Sequence, residues 1–184
     1  TILNDDTLGT SVAAQLSPSG LSPSGRELHT AVLDPDTDTM IMFGGSSSAT
    51  VMEDHNDVWV LSNASGLGAT STWTQISPTG TPPSPRQSHG AAYDKANDRM
   101  IVFGGDPAPC GHVNDVWILT NAKGQSGTPA WIQLTPGGTP PSPRGYHSVA
   151  YDAASNQLIA FGGLLDCGQT TTNETWLLSH ANGL

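Results

Sequence analysis

Apolar residues in this chain come in short runs closed by glycine, proline, serine, asparagine or aspartate. Leu28 to Leu33 reads as a strand turned by Asp34-Pro35-Asp36, and Met40-Ile41-Met42-Phe43 as a buried strand stopped at Gly44-Gly45. Val58-Trp59-Val60-Leu61 and Trp73-Thr74-Gln75-Ile76 follow as two more strands, each bounded by turn formers. The paired glycines suit a strand end beside crowded neighbours, because a residue without Cβ permits positive φ and close backbone approach.

The same order of residues then recurs. Arg26, His29, Phe43-Gly44-Gly45, Asp57-Val58-Trp59 and Trp73 are matched by Arg86, His89, Phe103-Gly104-Gly105, Asp115-Val116-Trp117 and Trp131. A third copy runs Arg144, His147, Phe161-Gly162-Gly163, Glu174-Thr175-Trp176 and stops before a second Trp. The period is 60 residues (86 − 26) and then 58 (144 − 86), and every Phe and Trp of the chain falls in a repeated slot. A fixed period in this range predicts a propeller, solenoid or array. Trp on the third and fourth strands then lies between neighbouring units, each burying a large apolar area.

These residues resemble the kelch repeat, an apolar strand ending in Gly-Gly followed by two spaced aromatic positions, and the likeness covers nearly the whole chain. The resemblance implies an all-β, kelch-type β-propeller with three four-stranded blades per chain, the strand holding His29, His89 or His147 nearest the central axis. The first aromatic slot, usually Tyr, holds Trp59, Trp117 and Trp176 here. One repeat domain spans 1–184, with blade repeats at about 26–77, 86–135 and 144–184.

Both ends of the sequence fall inside a blade. Gln15-Leu16-Ser17-Pro18-Ser19-Gly20 aligns with Gln75-Ile76-Ser77-Pro78-Thr79-Gly80 and Gln133-Leu134-Thr135-Pro136-Gly137-Gly138, so residues 11–16 read as a fourth strand, with Ala13 in the slot of Trp73 and Trp131. Ser179 to Leu184 matches Ser62 to Leu67, which precedes a fourth strand, so the last repeat lacks its own. Propellers have about four to eight blades, and three do not readily close. The expectation is half of a six-bladed ring, completed when the leading strand of one chain enters the third blade of another. A head-to-tail contact that fails to close gives a filament instead. A longer six-bladed chain is the third arrangement.

Composition narrows the partners. The 184 residues hold 21 Gly and 14 Pro, only 12% are charged, and 16 acidic against 6 basic side chains give a formal net charge of −10. That suits a turn-rich all-β protein and repels nucleic acid and anionic membrane surfaces. No apolar run approaches the roughly 18 residues of a spanning helix. The start, Thr1-Ile2-Leu3-Asn4-Asp5-Asp6, lacks signal-peptide features, and beginning mid-repeat without Met it reads as processed or excised.

Candidate chemistry is sparse. Arg26, Arg86 and Arg144, each three residues before a His, either ring a ligand or serve blade architecture, and repetition in every copy favours architecture. The loops after Gly-Gly, Ser46 to His55, Asp106 to Val113 and Leu164 to Thr172, differ between copies and share a face with links such as Thr81-Pro82-Pro83-Ser84-Pro85. Glu53, His55, Asp106, His112 and Asp166 are therefore the candidate ligand contacts. No metal-ligand spacing recurs, and Asp34-Pro35-Asp36-Thr37-Asp38 lacks the glycine and distant Glu of a calcium loop, so no metal or other cofactor is expected. Tyr93, Tyr146 and Tyr151 with the histidines supply no copper set of the kind that galactose oxidase, also a kelch protein, would suggest.

Asn63-Ala64-Ser65 is a glycosylation pattern in the loop between strands three and four, whereas Asn173-Glu174-Thr175 occupies the slot of Asn56 and Asn114 before strand three. Cys110 and Cys167 stand at nearly equivalent places in the second and third copies. A disulfide between adjacent blades needs their Cα atoms within about 7 Å, so both loops must lean in over the axis. Such a bond implies an oxidising compartment. The combined expectation is a secreted or surface-exposed, non-catalytic binding or assembly module that pairs with itself and takes a protein or glycan ligand. The alternatives are a structural subunit of an extracellular filament and part of a carbohydrate-active kelch enzyme. Thiol titration of the denatured, unreduced protein is expected to find no free thiol; two free thiols would remove the bridge.

Overall fold

Three antiparallel sheets follow one another along the chain in the computed structural model, which describes residues 13–47, 53–107, 111–166 and 170–184. The first blade contains β1 (Thr30–Asp34), β2 (Thr39–Phe43), β3 (Val58–Ser62) and β4 (Thr72–Ile76), in that order across the sheet. The second contains β5 (Gly90–Asp94), β6 (Arg99–Gly105), β7 (Val113–Thr120) and β8 (Ala130–Leu134). In the third, β9 (Ser148–Asp152) pairs with β10 (Gln157–Phe161), which pairs with the last strand, β13 (Thr175–Ser179). A small hairpin, β11 (Leu164–Leu165) with β12 (Thr170–Thr171), forms in the loop after Gly162-Gly163.

Local geometry departs from the simple strand reading in three places. Each inner strand begins after its histidine, at Thr30, Gly90 or Ser148, because the preceding Leu28, Ser88 and Tyr146 adopt left-handed φ of 56°, 57° and 57°. That conformation turns the backbone towards the neighbouring blade: Ser88 N–H donates to Leu28 O at 3.0 Å and Tyr146 N–H to Ser88 O at 2.9 Å. The three histidines thus sit one residue ahead of the axial strands rather than within them. Second, β6 runs on through Gly104-Gly105 and pairs with an early-starting β7 through a register shift between Phe103 and Gly105. Third, residues 13–16 form no strand. Leu16 instead abuts Gly66, as Ile76 abuts Gly124 and Leu134 abuts Gly183, and Ser19 makes a parallel bridge to Thr72. Residues 11 and 12 of that segment, and both Cys110 and Cys167 of the expected disulfide, lie outside the described residues.

Two apolar layers join the blades. Alternation along each strand sends successive side chains into opposite gaps. Ile41, Phe43, Val58 and Val60 of the first blade meet Met100, Val102, Trp117, Leu119 and Trp131 of the second. Ile101, Phe103, Val116 and Ile118 of the second meet Leu158 and Ala160 of the third, with Trp176 and Leu178 at the margin. The third blade's equivalents of Phe43 and Val60, namely Phe161 and Leu177, are 53% and 61% exposed, with no further blade over them among the described residues.

Gly104 shows why the repeat needs glycine. Its φ is +62°, and a Cβ there would stand 2.9 Å from Arg144 O and 3.0 Å from the His147 ring. Gly162 has φ +71°, but its nearest neighbour would be Thr172 O at 3.4 Å. Gly104→Ala is accordingly expected to lower unfolding stability by more than about 2 kcal/mol, and Gly162→Ala by roughly 1 kcal/mol from the backbone term alone. Urea denaturation checks both, and equal losses would contradict the contact assigned to Gly104.

Candidate functional site

Each blade carries one buried guanidinium held from several sides. Arg86 donates all five of its N–H groups: Nε to Ser84 O (3.2 Å), Nη1 to Gly104 O (2.9 Å) and Asp115 Oδ1 (2.6 Å), Nη2 to Ser84 Oγ (3.1 Å) and Asp115 Oδ2 (2.9 Å). The Trp117 indole also donates to Asp115 Oδ2, at 2.7 Å. Arg26 repeats the set with Ser24, Gly44 and Asp57, which also accepts from Trp59 at 2.6 Å. Arg144 bonds to Ser142 O, Gly162 O and Glu174, which Trp176 also reaches. Burial pushes the Asp57 and Asp115 carboxyls up, yet the hydrogen bonds and charge of their arginines and the Trp indoles outweigh it and hold both below the usual range. Glu174 is held down chiefly by its bond from Arg144. These guanidiniums face the inside of their own blades, where Arg86 and Arg144 are 1% and 0% exposed, so no ring of them meets a ligand.

The histidines link blades. His89 Nε2 lies 2.7 Å from Thr30 Oγ1, and its ring meets Phe43 edge-on at 5.2 Å. His147 packs against Phe103 at 4.8 Å, but its Nε2 faces Gly90, where the second blade has no hydroxyl, and has no hydrogen-bond partner among the described residues. Burial, reinforced by Arg86, lowers His89 to about 3; burial with Arg144 lowers His147 to about 4. His29 is lowered in the same way, by burial and then Arg26.

The loops after Gly-Gly bring some of the candidate contacts together and leave others apart. Asp106 Oδ2 stands 3.7 Å from His112 Nδ1, and Asp106 Oδ1 accepts from Gly111 N–H. Asp54, flanked by Glu53 and His55, bridges to Ser46 within the first loop. Its carboxyl is raised by burial and by the Asp106 charge, against a hydrogen bond from Ser46. Glu53 accepts from Ser47 Oγ at 3.0 Å within its own loop. His55 joins blades through its backbone, accepting from Arg86 N–H at 3.0 Å, while its Nε2 is buried without a partner among the described residues. Asp166 is exposed on the third loop. Asn63 takes φ 51° in the β3–β4 turn and donates to Thr70 O, and Ser65 bonds to Asp38 at 2.7 Å. Asp34 caps its own turn and accepts Lys123 Nζ at 2.6 Å from the second blade. Tyr93 and Tyr151 donate to Asp98 and Asn156 across equivalent turns.

Sequence comparison agrees with this geometry. A model described as the KLHDC2/KLHL20/DRC7 Kelch-repeats domain matches residues 6–182. The chain belongs to the kelch-repeat family. This kelch domain is 34% identical over 84 residues to dynein regulatory complex subunit 7 of Chlamydomonas reinhardtii, covering 46% of the chain and 7% of that protein. It is 34% identical over 119 residues to the Rab9 effector protein with kelch motifs of Bos taurus, covering 59% and 30%. With the leucine-zipper-like transcriptional regulator 1 homolog of Drosophila melanogaster it shares 30% over 161 residues, covering 84% and 14%. The chain therefore spans less than a third of each of these relatives. A solved structure titled "Structure of YjhT" superimposes with TM-score 0.55 at 18% identity, over 82% of this chain and 37% of that one. That likeness shows the fold, and with the sheets above it bears out an all-β kelch repeat whose ring is incomplete.

The buried histidines give the kelch domain an acid-side instability. A folded-state pKa of about 3 or 4 lies below the ordinary value of 6.5, so the unfolded chain binds protons that the native state refuses. Stability from this source is complete above pH 6.5 and declines as pH falls from there towards 4, with a slope of up to about 1.4 kcal/mol per pH unit for each histidine. Thermal melts from pH 7 to 4.5 are expected to show that decline, and His147→Gln to flatten it. An unchanged slope in the variant would contradict the assignment.

Proposed function

We propose that this kelch domain is a non-catalytic binding and assembly module that joins a second copy of itself head to tail. The observation that carries the reading is that contacts repeated across both inter-blade gaps are half-made at the two outer blades. Leu28 O accepts from Ser88 and Ser88 O from Tyr146, whereas Leu28 N–H and Tyr146 C=O have no such partner among the described residues. The Thr30–His89 bond has a matching imidazole at His29 on one face and a matching hydroxyl at Ser148 on the other. Leu33 on the first blade and Phe161 and Leu177 on the third are apolar and more than half exposed. Such faces drive association, and complementary rather than identical faces make it head to tail.

Protein recognition is supported from a second direction, since two of the similar proteins are named as an effector and as a subunit of a complex. The loop face with Glu53, Asp54, Asp106 and Asp166 is the surface proposed for a protein or glycan partner. An extracellular setting, in which the Asn63 sequon and the two cysteines would be used, belongs to the same proposal. Sedimentation velocity of the whole chain is expected to report a dimer or a larger head-to-tail species, with Leu177→Asp shifting it to monomer. A growing series with concentration marks the filament form, and a stable monomer at high micromolar concentration would overturn the self-assembly reading.

A further inference from the structure

We infer that the seam between the loops of the first and second blades is an acceptor-lined recess for a lysine or arginine side chain of a protein partner. The inference rests on the protein-binding reading of the loop face and gives that reading a chemistry. Both blades that form the seam have all four of their strands.

One short link is held there from both sides. Arg86 N–H donates to His55 O of the first loop at 3.0 Å, and Gln87 exchanges both backbone bonds with Asp106 of the second, at 3.1 and 2.8 Å. The loops are built alike. Ser46 bridges to Asp54 in the first, and Leu164 pairs with Thr171 in the third. Arg144 N–H donates to Val113 O as Arg86 N–H does to His55 O, so in the second loop His112 takes the place of Asp54 and Asp106 that of Ser46. One scaffold position thus carries Ser with Asp, Asp with His and Leu with Thr in turn. The first two pairs, in adjacent blades, are rich in acceptors.

These groups lack donors. Asp54 takes a bond from Ser46, but its Oδ1 is buried with no partner among the described residues. The His112 side chain is only 6% exposed, its Nδ1 stops 3.7 Å from Asp106 Oδ2, and neither ring nitrogen has a hydrogen-bond partner among the described residues. His55 Nε2 is buried in the same condition. Burial and then the Asp106 charge raise the Asp54 carboxyl, as expected of two carboxyls that share a site without a cation. Buried polar atoms without partners are unfavourable, and a cation carrying several N–H groups supplies what these lack.

The chain places no cation of its own there. Arg26, Arg86 and Arg144 are bound inside their blades. Lys95, Arg99 and Lys123 belong to the turns at the other end of the strands, where they meet Asp36 (2.8 Å), Asn182 O (2.6 Å) and Asp34 (2.6 Å). These six are every Lys and Arg of the sequence. A metal ion fits less well, since among the described residues no three His, Cys, Asp or Glu side chains converge closely enough to hold one. A guanidinium or ammonium needs no such convergence, because it arrives on a flexible stem and bonds to separate acceptors.

Labelled peptides titrated into the whole chain at low ionic strength test this by fluorescence anisotropy. One peptide alternates arginine with glycine, a second carries lysine in place of each arginine, and a third carries glutamine. Saturable binding of the arginine or lysine peptide, with the glutamine peptide at least about tenfold weaker, is the expected result. The isosteric variants Asp54→Asn and Asp106→Asn are each expected to weaken the cationic peptides about tenfold. Asp36→Asn removes the same charge at the opposite end of the strands, and is expected to change affinity less than about twofold. Unchanged affinity in the first two variants, or equal weakening in all three, would overturn the recess, as would no saturable binding of either cationic peptide. Equal affinity for the glutamine peptide would also overturn it, while leaving the loop face as a protein-binding surface. Cationic binding by a chain that sediments as a monomer would leave the recess standing while ending the self-assembly reading.

Discussion

The buried guanidinium of each blade is the interaction on which the rest of the arrangement depends. Arg86 ties together the Pro-rich connector at Ser84, the glycine end of β6 at Gly104 O and the carboxylate that leads into the aromatic part of β7, three segments far apart in sequence. Removing such a charge from water is unfavourable unless every donor is satisfied, and Arg86 meets that condition with five bonds. Arg86 and Arg144 also present their backbone carbonyls to Gly105 N–H and Gly45 N–H of the preceding blade, Arg86 to Gly45 and Arg144 to Gly105. One residue thus fixes both the shape of a blade and its spacing from the next.

This use of the arginines explains where chemistry is left for recognition. Guanidiniums, imidazoles and indoles that look reactive in the sequence are absorbed into the scaffold. What remains outside is the set of variable loops and the unfinished margins of the outer blades. The loops contribute carboxylates at Glu53, Asp54, Asp106 and Asp166 on a chain of formal net charge −10, which disfavours polyanions as partners. The margins contribute backbone groups and apolar side chains whose proper neighbours are defined by the two gaps that are filled.

Much of the fold was legible in the sequence because the repeat is strict. Phe-Gly-Gly and the spaced Trp residues mark the second, third and fourth strands to within a residue or two. The histidines were placed one residue too far inward, since nothing in Leu28, Ser88 or Tyr146 as residue types announces a left-handed backbone. The candidate loop residues were chosen for being polar and variable, which does not separate Glu53, closed on its own Ser47, from Asp54, whose carboxyl is raised by burial and the Asp106 charge. The open surroundings of Gly138 were equally hidden, because a glycine reads as a turn until its neighbours are compared with those of Gly20 and Gly80.

Sequence by itself determined the period, the all-β class, the kelch family and the strands within each repeat, because these follow from local patterning and from residues repeated at fixed spacing. Tertiary structure alone decided that Arg26, Arg86 and Arg144 point into their blades, that His89 and His147 are buried between blades, and that Asp34 meets Lys123. The physical reason is that burial and hydrogen-bond satisfaction are properties of a residue's neighbours in space, and those neighbours come from as far as 89 positions away along the chain, as Lys123 does for Asp34.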